Sequence, residues 1–154
     1  MALSQCYPES LLIMPIPMEY HHATDEFEAF MKDLLAISLL KTRHQGYTML
    51  QAVLLVFRRR LTLQQAIEFA NLLPAVLRAI FVSDWDTREP LKPFLDREAM
   101  MDEVRALRHN HNFSTPSAIE DVTSAIRRHI DAPRLEAFLG TLPPGARAFW
   151  GLPG

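Results

Sequence analysis

Apolar residues along this chain recur mostly at intervals of three and four, and no segment sustains the every-second-residue alternation of a half-buried strand. Phe27, Phe30, Met31, Leu34 and Ile37 fall on one face of a predicted helix that Thr24 would cap, with Asp25 and Glu26 in its first turn. Tyr47, Leu50, Leu54, Phe57 and Leu61 follow a 3-4-3-4 spacing, the seam of a second and longer helix that should end near Arg60. Thr62 reads as the cap of a short helix carrying Leu63, Ala66, Ile67 and Ala70. Pro74 opens another with Leu77, Ile80 and Phe81 turned inward. The pattern predicts an all-α protein, a helical bundle of about eight helices.

The second half echoes the first. At an offset of 69, residues 48–81 align with 117–150 without a gap, and eight of the 34 pairs are identical: Val53/Val122, Arg58/Arg127, Arg59/Arg128, Phe69/Phe138, Leu73/Leu142, Pro74/Pro143, Arg78/Arg147 and Ala79/Ala148. About two would be expected from average residue frequencies. One residue of slippage lays "EAFM" at 28–31 over "EAMM" at 98–101, with Leu34 over Val104 and Ile37 over Leu107. The expected organisation is two tandem repeats of a unit of about 55 residues within one domain spanning 1–154. An extended arm (1–23) precedes the first repeat (24–83), and a stiff connector (84–95) with Pro90 and Pro93, anchored by Trp85 and Phe94, leads to the second (96–150). Expected caps in the second unit are Asp96, Ser114 or Thr115 ahead of Pro116, and Asp131.

The "AVL…FRRRL" helix, the "LLP…LRAIF" segment and the "DWD" turn within YTMLQAVLLVFRRRLTLQQAIEFANLLPAVLRAIFVSDWD are similar to a bacterial family catalogued as domain of unknown function 2267. The resemblance covers roughly residues 20–150 and leaves out the first 19. It implies a compact helical protein with a duplicated unit, and it carries no activity, substrate, cofactor or catalytic residue to any position.

Charge narrows the function classes. Sixteen basic and eighteen acidic side chains give a net charge of −2, so no global field draws the molecule to nucleic acid or an anionic membrane. A single cysteine, Cys6, can form no internal disulfide or cysteine-based metal site. The N-terminal stretch lacks a basic region, carries Glu9, and is broken by Pro15 and Pro17, unlike a secretory signal. No run reaches the roughly 18 apolar residues of a membrane helix. The expectation is a cytoplasmic protein that does not enter membranes.

Two candidate surfaces and one candidate metal pair follow. Residues 10–18, "SLLIMPIPM", hold Leu11, Leu12, Ile13, Met14, Ile16 and Met18 in a segment whose prolines forbid a regular helix. This strip is expected to lie extended and buried, either in a groove of its own chain or, by exchange, on a twofold-related copy, which would make a homodimer. It is equally the candidate contact for an unidentified protein partner. Arg58 and Arg59, repeated as Arg127 and Arg128, form the strongest charge feature. They could meet an anion or nucleic acid, but helix-end cations are favoured by the macrodipole without any ligand. Exposed aromatics for stacking bases are missing, which argues against nucleic acid. His109 and His111, two apart in a predicted loop, could face one ion, but zinc requires three or four ligands and no third is spaced to join them. No nucleophile–base pair, paired carboxylates or Gly-rich phosphate loop can be assembled, and no cofactor is implied. The leading expectation is a non-enzymatic interaction or scaffold module. The alternative is a small-molecule-binding protein with a pocket between the repeats, ahead of an enzyme or a nucleic-acid binder.

Overall fold

The computed structural model describes residues 16–107 and 115–154. Among these the chain forms nine helices and no strand: α1 (Met18–His21), α2 (Ala23–Ser38), α3 (Arg43–Arg58), α4 (Leu63–Ala70), α5 (Ala75–Val82), α6 (Arg97–Leu107), α7 (Ala118–Arg127), α8 (Ala132–Leu139) and α9 (Ala146–Phe149). The all-α bundle expected from periodicity is the observed fold.

Helix α3 is the axis of the bundle, with α2, α5, α6 and α7 packed around it. Its start is held by a capping box: Thr42 Oγ1 accepts from the Gln45 N–H at 3.2 Å, and Gln45 Oε1 accepts from the Thr42 N–H at 3.3 Å. The same T-x-x-Q device starts α4, at Thr62 and Gln65. Near the first turn of α3, a Cβ on Gly46 would lie 2.9 Å from Met31 Sδ, so only glycine lets α2 approach this closely. Further along, Leu50, Val53, Leu54, Val56 and Phe57 are all buried, a nearly all-round apolar surface that marks an interior helix. Phe57 sits edge-on to Phe69 at 4.9 Å and to Trp150 at 5.5 Å, and stacks on Phe149 at 5.1 Å. One apolar cluster thus takes residues from α2 through the C-terminal turn at Trp150.

Some helix bounds lie 69 residues apart. Helices α4 and α8 begin and end at positions that differ by that number, as 63–70 and 132–139, and α3 and α7 end at Arg58 and Arg127. Phe69 and Phe138 are both buried, with ring centroids 5.8 Å apart. The halves also differ: α9 has four residues where α5 has eight, and α7 has ten where α3 has sixteen.

Several local expectations are corrected. The arm is not extended throughout, because Met18–His21 is helical: Pro17 stands before α1, where its missing N–H costs nothing, and its carbonyl accepts from Tyr20 N at 2.9 Å. Helix α2 then starts at Ala23 behind His22, so Thr24 lies inside it and caps nothing. Helix α3 ends at Arg58, two residues before the expected stop, as the chain tightens through 59–60. Of the stripe expected on α4, Ala66 and Ala70 are buried as expected but Leu63 and Ile67 are exposed, because Phe69 shares the core-facing side; Tyr47 of α3 is exposed as well. Asp96 and Asp131 cap as expected, accepting from Ala99 N and Arg134 N. Thr115 does not cap α7; its hydroxyl donates to Asp121 Oδ2 at 2.8 Å, and Ser117 takes the cap position without a side-chain capping bond, its own hydroxyl donating to the same Asp121 oxygen at 3.0 Å. Ser114 lies outside the described residues.

Helix α2 ends on Leu39, which has φ of 58° and is 84% exposed. A left-handed backbone costs an L-residue roughly 1–2 kcal/mol, and here no packing offsets it. Leu39→Gly should therefore stabilise the fold by up to about 1 kcal/mol, after its own entropy cost. Urea denaturation of the two proteins checks this through the midpoint, and an unchanged or lowered midpoint rejects it.

Candidate ligand-binding site

Three consecutive arginines, the last residue of α3 and the two turn residues after it, send their side chains into different environments. Arg60 is fully buried; its Nη1 donates to Val56 O at 2.7 Å and its Nη2 to Glu103 Oε2 at 2.7 Å. Arg59 reaches Glu103 Oε1 at 3.0 Å and Glu89 at 3.4 Å. Lys92 adds a third cation 3.3 Å from Glu103 Oε1. Burial alone would raise the Glu103 pKa, but hydrogen bonds from Arg60 and Arg59, the Arg60 charge and the Lys92 hydrogen bond overcome it and hold the carboxyl down to about 2. This carboxylate on α6 clamps the end of α3 to the connector.

Arg58 is compensated differently. It is 5% exposed, its Nη1 donates to Phe81 O at 2.8 Å and to Ser83 O at 3.0 Å, and its guanidinium carbon lies 5.1 Å from the centre of the Trp85 ring. Among the described residues it makes no salt bridge. Burial lowers its pKa, opposed by the Glu89 charge, aided by Arg59, and opposed again by Asp84.

A cavity of about 320 Å³ opens beside it. One wall is a face of α3, where Thr48, Gln51, Ala52, Leu55 and Arg58 follow one another at helical spacing; Ile80, Phe81, Ser83 and Asp84 at the end of α5 form the other, and Leu107 of α6 the rim. Asp84 has a positive φ of 49°, a conformation aspartate tolerates better than most residues and one that recurs at functional sites. The polar groups are partly engaged: Thr48 Oγ1 donates to His44 O at 3.0 Å, Ser83 Oγ to Ile80 O at 2.8 Å, and Gln51 Nε2 to Tyr47 Oη at 3.1 Å. The place differs from the expected one between the repeats, since among the described residues Leu107 is the only lining residue from the second half.

The paired arginines are not brought together. Arg58 and Arg59 line a hollow with Trp85 and Glu89, whereas Arg127 and Arg128 line another with Ser124, Leu135 and Glu136, so no single basic groove joins them. Arg127 Nη1 does donate to Trp150 O at 3.2 Å, the position 69 residues beyond the Phe81 carbonyl that Arg58 holds. His129, at the position matching Arg60, contacts Asp33 Oδ2 at 2.7 Å through Nε2.

Of the apolar strip, Ile16 is 57% and Met18 66% exposed, so neither is buried on its own chain as expected. Ile16 precedes α1 and Met18 opens it, while Glu19 in the same turn reaches Arg78 at 3.4 Å. Leu11, Leu12, Ile13 and Met14, like His109 and His111, lie outside the described residues. Among the described residues no group of three or more His, Cys, Asp or Glu could hold a metal, and no helix is long and apolar enough to cross a membrane. Reading the sequence missed Glu103 and the capping residue Thr42. The T-x-x-Q signature was available for the second, but nothing near Glu103 in sequence points 43 residues back to Arg60.

The family model described as "Uncharacterized conserved protein (DUF2267)" matches residues 27–149. No curated protein matches the chain.

A carboxyl held near 2 in the fold and near 4.5 otherwise contributes stability that is complete above about pH 4.5 and is lost as pH falls toward 2. Glu103→Gln should lower stability at neutral pH by about 1.5–3 kcal/mol, the scale of hydrogen bonds to charged groups. It should also flatten the acid limb of the stability curve. Urea titrations at several pH values between 2 and 7 test both, and a variant with the wild-type acid limb would show that the clamp does not stabilise the fold.

Proposed function

The chain belongs to the DUF2267 family, whose description assigns no activity, and on the geometry of the Arg58 cavity we propose that the protein binds a small molecule. One observation carries this reading: a cavity of about 320 Å³ combines an apolar wall (Ala52, Leu55, Ile80, Phe81) with polar groups converging from α3 (Thr48, Gln51, Arg58) and from the turn after α5 (Asp84). Sites of this volume and mixture are the usual form of ligand pockets. The single cysteine is in keeping with a reducing compartment, and we place the protein in the bacterial cytoplasm.

A fragment set screened by amide chemical-shift mapping checks the binding role. Hits should cluster on Thr48, Gln51, Leu55, Ile80 and Ser83, and Leu55→Trp, which fills the cavity, should abolish them. Fragments that map elsewhere, or bind the tryptophan variant as before, defeat the proposal.

Self-association is a second reading, favoured by the exposure of Ile16, Met18 and Tyr20 on one short segment. Apolar side chains left uncovered on the single chain would be covered by a second copy exchanging arms, at up to about 1.5–3 kcal/mol for each one fully buried. Light scattering behind a sizing column should give the full chain twice the particle mass per chain of a version lacking residues 1–17. Equal association states would reject the arm as an interface.

A further inference from the structure

We infer that the Arg58 cavity takes a monocarboxylate with a short apolar tail, an inference that rests on the proposed binding role and names its ligand class. Two buried arginines lie at the end of α3, and their compensation differs. Arg60 has the Glu103 carboxylate 2.7 Å away, whereas Arg58, also buried, has carbonyls and an indole face but among the described residues no carboxylate in salt-bridge contact, only the more distant charges of Glu89 and Asp84. A buried cation without a directly paired carboxylate is costly, and the one lining an open cavity can be relieved by an anion entering it.

The unused donors define the anion. Phe81 O and Ser83 O take both protons of Nη1, and Nε and Nη2 donate to nothing among the described residues. Those two groups form the side-on fork of a guanidinium, whose two parallel N–H bonds match the two oxygens of a carboxylate. Around them Leu55, Ile80, Phe81 and Leu107 provide aliphatic and aromatic surface for the rest of the molecule. Asp84, exposed in the same lining, sets the upper limit on charge: a second carboxylate would meet it as a like charge. The class is therefore an acid with one charged head and an uncharged hydrocarbon body, small enough for about 320 Å³.

Octanoate, 1-octanol and the dicarboxylate suberate serve as probes, titrated at low ionic strength into the full chain and followed by calorimetry and by amide and arginine Nε–H shifts. Octanoate should bind at least tenfold more tightly than octanol or suberate and should move the Arg58 Nε–H resonance, which octanol should leave in place. Arg58→Gln should erase the tenfold advantage, Arg58→Lys should keep only part of it, and Leu55→Trp should weaken both monofunctional probes. Equal binding of octanoate and octanol, both lost in Leu55→Trp, overturns the acid inference and leaves the binding role standing. Failure of every probe to perturb the cavity amides overturns the acid inference, while fragment hits at the cavity would still support the binding role. Should Arg58→Gln not fold, the Nε–H shift in the unaltered protein decides: no movement with octanoate rejects the inference.

Discussion

Three guanidinium groups must leave water together where α3 ends, and the way each is compensated organises the surrounding chain. A helix buried on nearly every side has nowhere to send its last turn except into its neighbours. Cations there are favoured by the carbonyl end of the helix, but by only about 0.3–1 kcal/mol each, far less than the cost of stripping their hydration. Other elements have to supply the remainder. Glu103 from α6 serves Arg59 and Arg60, the carbonyls that end α5 serve Arg58, and the connector brings Trp85, Glu89 and Lys92 to the same place. The connector even hydrogen-bonds the helix end directly, Lys92 N donating to Arg59 O at 3.0 Å. The polar contacts and the apolar core are therefore one arrangement: Phe57, next to Arg58, carries the aromatic cluster that joins Phe69, Phe149 and Trp150.

What could be read from the sequence follows the range of the interaction involved. Helix existence and type, the seam of Leu50, Leu54 and Phe57, and the caps Thr62, Asp96 and Asp131 depend on residues within a turn or two, and the structure has them. Errors came where tertiary packing outweighed local pattern. Leu63 and Ile67 fit a helical stripe but lie outside because Phe69 competes for the core and is much larger. The extended arm expected over 1–23 gives way to helix at Met18, because a proline immediately before the first turn gives up no bond. The site was less legible still. The sequence singles out Arg58, but as a helix-end cation; its burial, its stacking on Trp85 and the carbonyls it holds, 23 and 25 residues away, are products of the fold.

The contrast between Arg58 and Arg127 bears on why the cavity is where it is. Both occupy the last position of their helix, and both hold a carbonyl at the same separation along the chain, Phe81 and Trp150. That recurring bond ties a helix end to the turn that closes its half of the molecule, a role needing one edge of the guanidinium and no ligand. Arg58 differs in three respects: its burial is far greater, its cavity is bounded by the end of α5 whereas the hollow at Arg127 is lined by α7, α8 and Leu152, and Asp84 beside it adopts a left-handed backbone. A residue that only tied α3 to α5 would need none of these. Structural need accounts for Nη1, while Nε and Nη2 remain as donors on a buried cation beside an open space, and in that surplus the first half of the chain departs from the second.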